Sequence, residues 1–175
     1  MNHILKPHTG ITNVTLSSTL ALSTHKLLLT FRIEGELEKY IFLEKREKKR
    51  VDELWRSTCF ELFLASSKSE EYYELNFSSS LAWNYYYLSE YRAEVKEVEN
   101  VALSINTSIK ENIYEVNIIL ESNEFNFELF DMYNIATILL TREGERTFWS
   151  LHKMEENPDF HNKEFFNKRK NYDII

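Results

Sequence analysis

Glycine is nearly missing from this sequence: Gly10, Gly35 and Gly144 are the only three among 175 residues. No two of them fall within the spacing of G-x-G-x-x-G, a Walker A loop or a G-x-S-x-G elbow, so those phosphate-cradling and nucleophile-bearing turns are excluded. Cysteine is rarer still. Cys59 stands alone, which rules out an intrachain disulfide and any zinc site assembled from thiolates. A lone thiol agrees with a reducing compartment. Long apolar runs are absent as well. The stretch 135–140 carries five apolar residues around Thr137, far short of the ~18 needed to span a bilayer. Residues 1–8 hold no apolar stretch of signal-peptide length. The expectation is a soluble, cytoplasmic chain with no membrane partner. Positive charge is also in deficit: 21 basic against 28 acidic side chains leave a net charge of −7. That balance argues against a broad phosphate-binding surface, so no nucleic-acid partner is expected.

What the sequence does have is a core. Hydrophobic residues make up 43% of it and aromatics 14%, which argues against disorder. The length suits one domain over 1–175, without linker composition, fixed-period repeats or low-complexity tracts. The one charge-dense run, Glu44 to Arg50, mixes signs and reads as a solvated loop. Period-two alternation dominates elsewhere. Leu27, Leu29, Phe31 and Ile33 alternate with Leu28, Thr30, Arg32 and Glu34; Tyr114, Val116, Ile118 and Leu120 alternate with Glu115, Asn117 and Ile119. Such segments are half-buried strands. About ten are expected, near 12–22, 26–34, 38–43, 57–65, 71–78, 83–92, 100–109, 112–121, 134–141 and 145–152. Many short strands with little helical periodicity predict an all-β fold, a two-sheet antiparallel β-sandwich of jelly-roll or immunoglobulin-like type.

Residues 54–92 carry the functional signal. Phe60, Leu62 and Leu64 share one side of the first strand there, opposite Cys59, Glu61 and Phe63. In the next, Tyr73, Leu75 and Phe77 lie opposite Tyr72, Glu74 and Asn76. With the apolar sets on the core, Glu61, Glu74 and Asn76 emerge together on an outer sheet face. Trp55 precedes Glu61 by an even number of residues and would join them if the strand is unbroken. Indole planes beside carboxylates and an amide form a sugar-binding platform, because pyranose C–H groups pack on rings while hydroxyls need fixed donors and acceptors. The same pattern also fits a plain polar sheet face with tryptophan at its edge. Trp149 is expected to close the pocket opposite Trp55, with Trp83 and His152 nearby. His152 and His161, nine residues apart with Asp159 between, do not have a zinc spacing, and neither metal nor cofactor is expected.

Leu54-Trp55-Arg56, Thr58-Cys59-Phe60-Glu61-Leu62-Phe63, Tyr73-Glu74, Asn76-Phe77-Ser78, Trp83, Tyr91-Arg92, Trp149, His152 and Pro158-Asp159-Phe160-His161 together resemble the bacterial DOMON-like proteins, relatives of the family 9 carbohydrate-binding modules. The resemblance runs from about Lys26 to His161. Ser79 and Lys153 depart from it, where the family usually has proline. It implies a jelly-roll-like sandwich and a non-catalytic saccharide module, with Trp55 and Trp149 as sugar clamps and Glu61, Glu74 and Asn76 beneath them. Two alternatives come with it. The wider superfamily includes haem binders with Met and His axial ligands, which here would be Met132 or Met154 with His152 or His161. A protein-interaction module would use Trp55, Trp83 and Tyr85-Tyr86-Tyr87 as an apolar contact surface. Glycoside hydrolysis by Glu61 and Glu74 would need a cleft that a flat face does not supply.

Overall fold

Alternating burial builds one half of the molecule. In the computed structural model, which describes residues 1–8, 12–154 and 158–169, strands β1 (Asn2–Pro7), β2 (Val14–Leu22) and β3 (Lys26–Gly35) are followed by β4 (Lys49–Arg50), β5 (Cys59–Ala65), β6 (Tyr72–Ser78), β7 (Ala82–Leu88) and β8 (Lys96–Glu97). The remainder are β9 (Ala102–Lys110), β10 (Ile113–Glu121), β11 (Met132–Leu140), β12 (Arg146–Ser150) and β13 (Asn167–Lys168). In β2, β3 and β10 every second side chain is buried, as a sheet with one wet face requires. Nine of the ten expected strands are present within a few residues. The tenth, 38–43, is a 3-10 turn over Leu37–Lys39 followed by an isolated bridge at Tyr40.

The fold is all-β, but its strands form one continuous path rather than two separate sheets. The order is β4-β7-β6-β5-β11-β12-β1-β2-β3-β10-β9, with β8 on β7 and β13 on β11. β1 is the junction: Asn2 to Leu5 pair with β2, while Lys6 and Pro7 pair with β12. Every pairing is antiparallel except β4 with β7, so the sheet is mixed. It curls until its halves meet face to face, bringing Phe31 of β3 to 5.0 Å from Phe60 of β5 between ring centroids. Phe60, Leu62, Phe77, Tyr85, Val116, Ile118 and Trp149 belong to this main core. The expected pair of sheets therefore merges, because β1, which is not among the expected strands, is shared by both halves.

The outer edge at β9 is covered by the charge-dense loop. Lys45 Nζ donates to Thr107 O at 2.5 Å, and Lys48 Nζ donates to Leu103 O. These two ammonium groups satisfy carbonyls that an open edge strand would leave to a neighbouring chain. Among the described residues no helix is long and apolar enough to cross a membrane.

Candidate functional site

β5 and β6 differ from the half-buried strands. All seven residues of β5 are buried, and six of the seven in β6. The outer face of this half is covered too. A second apolar cluster there joins Cys59, Phe63, Tyr72, Tyr86 and Ala136 with Phe160 and Phe166. Residues 158–166 form the cover. His161 lies edge-on to Phe63 at 5.1 Å, Phe160 packs on Phe148 at 6.3 Å, and Asn134 Nδ2 donates to Phe160 O at 3.1 Å. Lys163 Nζ ties the far end to the carbonyls of Ser69, Glu70 and Glu71. Arg92 pairs with Asp159 at 2.8 Å and Tyr91 O–H donates to the same carboxylate. Burial alone would raise the Asp159 carboxyl; Tyr91 and Arg92 outweigh it and hold the group below its usual range.

Register brings Glu61, Glu74 and Asn76 together as expected. Glu61 faces Asn76 across the β5–β6 ladder, Phe63 faces Glu74, and Asn76 Nδ2 donates to Glu74 Oε1 at 2.8 Å. All three point away from the main core, yet they do not emerge: Glu61 is 3% exposed, Glu74 8% and Asn76 4%. Burial pushes both carboxyls up. For Glu61 the neighbouring Glu74 adds to the rise, whereas for Glu74 the Asn76 amide offsets part of it. Asn76 Oδ1 and Asn134 Oδ1 have no hydrogen-bond partner among the described residues. The pair is a buried acid couple whose carboxyls keep their protons to higher pH than usual, not an open acceptor face.

The indoles separate. Trp149 and Trp83 lie in the main core; Trp149 Nε1 donates to Thr147 Oγ1 at 3.2 Å, and Arg50 sits 4.2 Å over the Trp83 ring. Both are buried, so neither can close an open pocket with Trp55, and Trp83 and Tyr85 offer no contact surface. Trp55 alone is open, at 42% exposure. The parity that linked it to Glu61 does not apply, since a 3-10 turn over Leu54–Arg56 interrupts the chain before β5. The guanidinium groups of Arg56 and Arg146 lie 5.3 and 5.5 Å from its ring centroid. His152 is exposed and bonded to Asn167 Oδ1 at 2.6 Å, remote in role from the acid couple.

The sequence reading missed a concavity lined by chain neighbours of Trp55. A cavity of about 520 Å³ opens between residues 43–54 and the turn after β6, lined among others by Arg46, Asp52, Leu54, Ser57, Ser78 and Ser80. Asp52 is set in place by Tyr86 O–H at 2.5 Å and Asn84 Nδ2 at 3.0 Å. Asn84 in turn accepts from Arg50 Nη1 at 2.8 Å, so a chain of hydrogen bonds fixes this wall. Leu54 and Val51 give it an apolar side. The volume falls in the range of small-ligand pockets, and its mixture of hydroxyls, carboxylate and guanidinium suits a polyhydroxylated ligand. The only sequence signal was Leu54-Trp55-Arg56 itself, since the loop's part in the wall depends on tertiary contacts.

Among the described residues no group of three His, Cys, Asp or Glu is arranged to hold a metal ion. His161 Nδ1 is engaged with Tyr72 Oη at 2.8 Å, and burial, helped by Arg92, lowers its pKa to about 4. His161 belongs to the cover, Met132 and Met154 are partly buried against the same cluster, and none of them lines the cavity walled by Asp52.

No protein-family model matches the chain, and no curated protein matches it significantly. Solved structures do. A candidate carbohydrate-binding protein from Bacteroides uniformis ATCC 8492 superposes with a TM-score of 0.59 at 12% identity, covering 93% of this chain and 83% of that one. A family 9 carbohydrate-binding module from Caldicellulosiruptor kristjanssonii, solved with glucose, gives 0.51 at 9% identity, covering 86% of this chain and 73% of that one. At such identities the likeness is one of fold.

Proposed function

We propose that this chain is a non-catalytic module that binds a saccharide, in the cavity walled by Asp52 and Leu54 and on the exposed indole of Trp55, the next residue in the chain. The observation that carries the reading is the cavity itself: about 520 Å³, walled by a pre-oriented Asp52 and the serines 57, 78 and 80, with Leu54, the chain neighbour of the one exposed tryptophan, in its lining. The fold shared with a glucose-bound module supports it. Hydroxyls of a pyranose would bond to Asp52, Arg46 and the serines, while its C–H face packs on Leu54 or on Trp55. Glu61, Glu74 and Asn76 hold the sheet beneath without touching ligand, and Trp83, Trp149 and His152 take no part. A non-catalytic role fits the acid couple, which the cover of residues 158–166 shields from any substrate bond.

Because Trp83 and Trp149 are buried, sugar-dependent changes in tryptophan quenching report on Trp55. Titration with glucose and a panel of mono- and disaccharides, followed by calorimetry and fluorescence, should show binding that Trp55→Ala or Asp52→Asn weakens by about tenfold. If wild type gives neither heat nor fluorescence change with any sugar, the reading is wrong.

A further inference from the structure

A larger hollow, of about 810 Å³, shares no lining residue with the Asp52 cavity. Its walls are the turn between β5 and β6, over residues 66–71, and the connection from β10 to β11, over residues 124–131. Tyr73 joins them from the start of β6, whereas Ser78, at the end of that strand, lines the Asp52 cavity. The two walls are tied together: Ser67 N–H donates to Asp131 Oδ1 at 2.7 Å, and its O–H donates to the same carboxylate. Lys163 Nζ holds the carbonyls of Ser69, Glu70 and Glu71, and Arg169 donates to those of Phe127 and Glu128. These bonds fix the shape of the hollow in advance of any ligand.

Aromatic rings and uncompensated negative charge meet on its surface. Tyr73 lies edge-on to Phe125 at 5.4 Å and to Phe130 at 5.2 Å between centroids. All three rings are only partly buried against the main core, and Leu129 beside them is 71% exposed. Four carboxylates, those of Glu71, Glu124, Glu128 and Asp131, share the lining with a single ammonium, Lys68. Lys68 acts on Asp131, which is also taken up by Ser67. The other three accept hydrogen bonds from neutral donors, Tyr87 Oη, Asn100 Nδ2 and Thr24 Oγ1 respectively. None of the four is in an ion pair among the described residues. Lys163 and Arg169 spend their N–H groups on backbone carbonyls and are not in the lining. No three acidic groups among the described residues are arranged to hold a metal ion, so the charge is spread along the rim rather than gathered at a point.

We infer that this hollow is a binding site for an alkylated ammonium ion, with its apolar substituents against Tyr73, Phe125, Phe130 and Leu129 and its charge facing Glu71, Glu124 and Glu128. A large, weakly hydrated cation gives up little hydration on entry and is attracted both by aromatic rings and by carboxylates dispersed around it. A small metal ion would need converging oxygen ligands, and an anion would be repelled by the rim. The volume falls in the range of small-ligand sites. Neither the ligand class nor the residues come from the saccharide reading, and the two stand or fall separately.

The test is an NMR titration of the full chain with choline and, separately, with 3,3-dimethylbutan-1-ol, a neutral molecule of the same shape, following the Leu129 methyls and the Phe125 and Phe130 rings. Choline should shift these signals to saturation, and the alcohol should bind about 5–10-fold more weakly, a gap that narrows as salt is added. Glu124→Gln combined with Glu128→Gln keeps acceptors for Asn100 and Thr24 and removes two charges. It should weaken choline by about 3–10-fold and leave both the alcohol and the melting temperature unaffected. Leu129→Ser removes an exposed apolar contact, so it should weaken both ligands, and it serves if the double variant folds poorly. Equal binding of choline and the alcohol, no shift with choline, or a double variant that binds choline as tightly as wild type would each overturn the inference. Glucose should leave the Leu129 methyls unmoved whether or not it binds at Trp55; glucose shifts there as large as those of choline would overturn it as well.

Discussion

Glu61→Gln is expected to stabilise the protein at alkaline pH by on the order of 2–4 kcal/mol and to change little near pH 5. The reason is the position of Glu61, on an inside-out face: its carboxyl points off the main core, then is covered by residues 158–166. Burial first, and Glu74 second, raise its pKa from 4.5 to about 8. In the unfolded chain the same group ionises near 4.5. The folded state therefore holds a proton that the unfolded state has lost, and its stabilising effect is complete below pH 4.5 and disappears as pH climbs through about 8. His161 acts from the other side. Kept neutral with a pKa of about 4 against an ordinary 6.5, it costs stability as pH falls through that interval. The two slopes oppose each other, so maximum stability should lie between 4.5 and 6.5. Denaturant melts of wild type and Glu61→Gln across pH would show it. A variant that is no more stable than wild type at about pH 9 would mean that the couple is not the buried pair described.

Trp149→Ala should cost about 3–5 kcal/mol, lowering the melting temperature by roughly 10 °C or more in a chain of this size. Trp149 is 2% exposed and packs among Leu5, Phe60 and Ile135 in the main core, so truncation opens a cavity that its neighbours only partly fill. Trp55→Ala should fall within about 0.5 kcal/mol of wild type, because the residue is exposed, belongs to neither apolar cluster and has the exposed Arg56 and Arg146 over its ring. Thermal unfolding of the two variants side by side separates an indole that builds the fold from one free to meet a ligand. Comparable losses for both would contradict these placements.

Much of this architecture was readable because strand pleats write themselves into sequence. The alternation in 26–34 and 112–121 required β3 and β10, and the same parity correctly placed Glu61, Glu74 and Asn76 on one face of neighbouring strands. The same segments held an unused hint. Cys59, Phe63 and Tyr72 share that face, and apolar residues on both sides of a strand signal that both sides are covered. The cover comes from a segment about 90 residues further on, with no periodicity of its own. Trp55 shows the other limit: a single 3-10 turn reset the parity that had tied it to the carboxylates.

By itself, then, the sequence determined an all-β chain, the facing of its longer strands and the exclusion of glycine-loop and thiolate-metal chemistry, since each depends on neighbours in the chain or on residue types being present at all. Tertiary structure alone decided that β1 welds the two halves, that the acid couple is sealed, that Trp149 is core and Trp55 is surface, and where the hollows lie. Those outcomes are set by contacts between segments far apart in the chain, and local pattern carries no record of what will later pack against it.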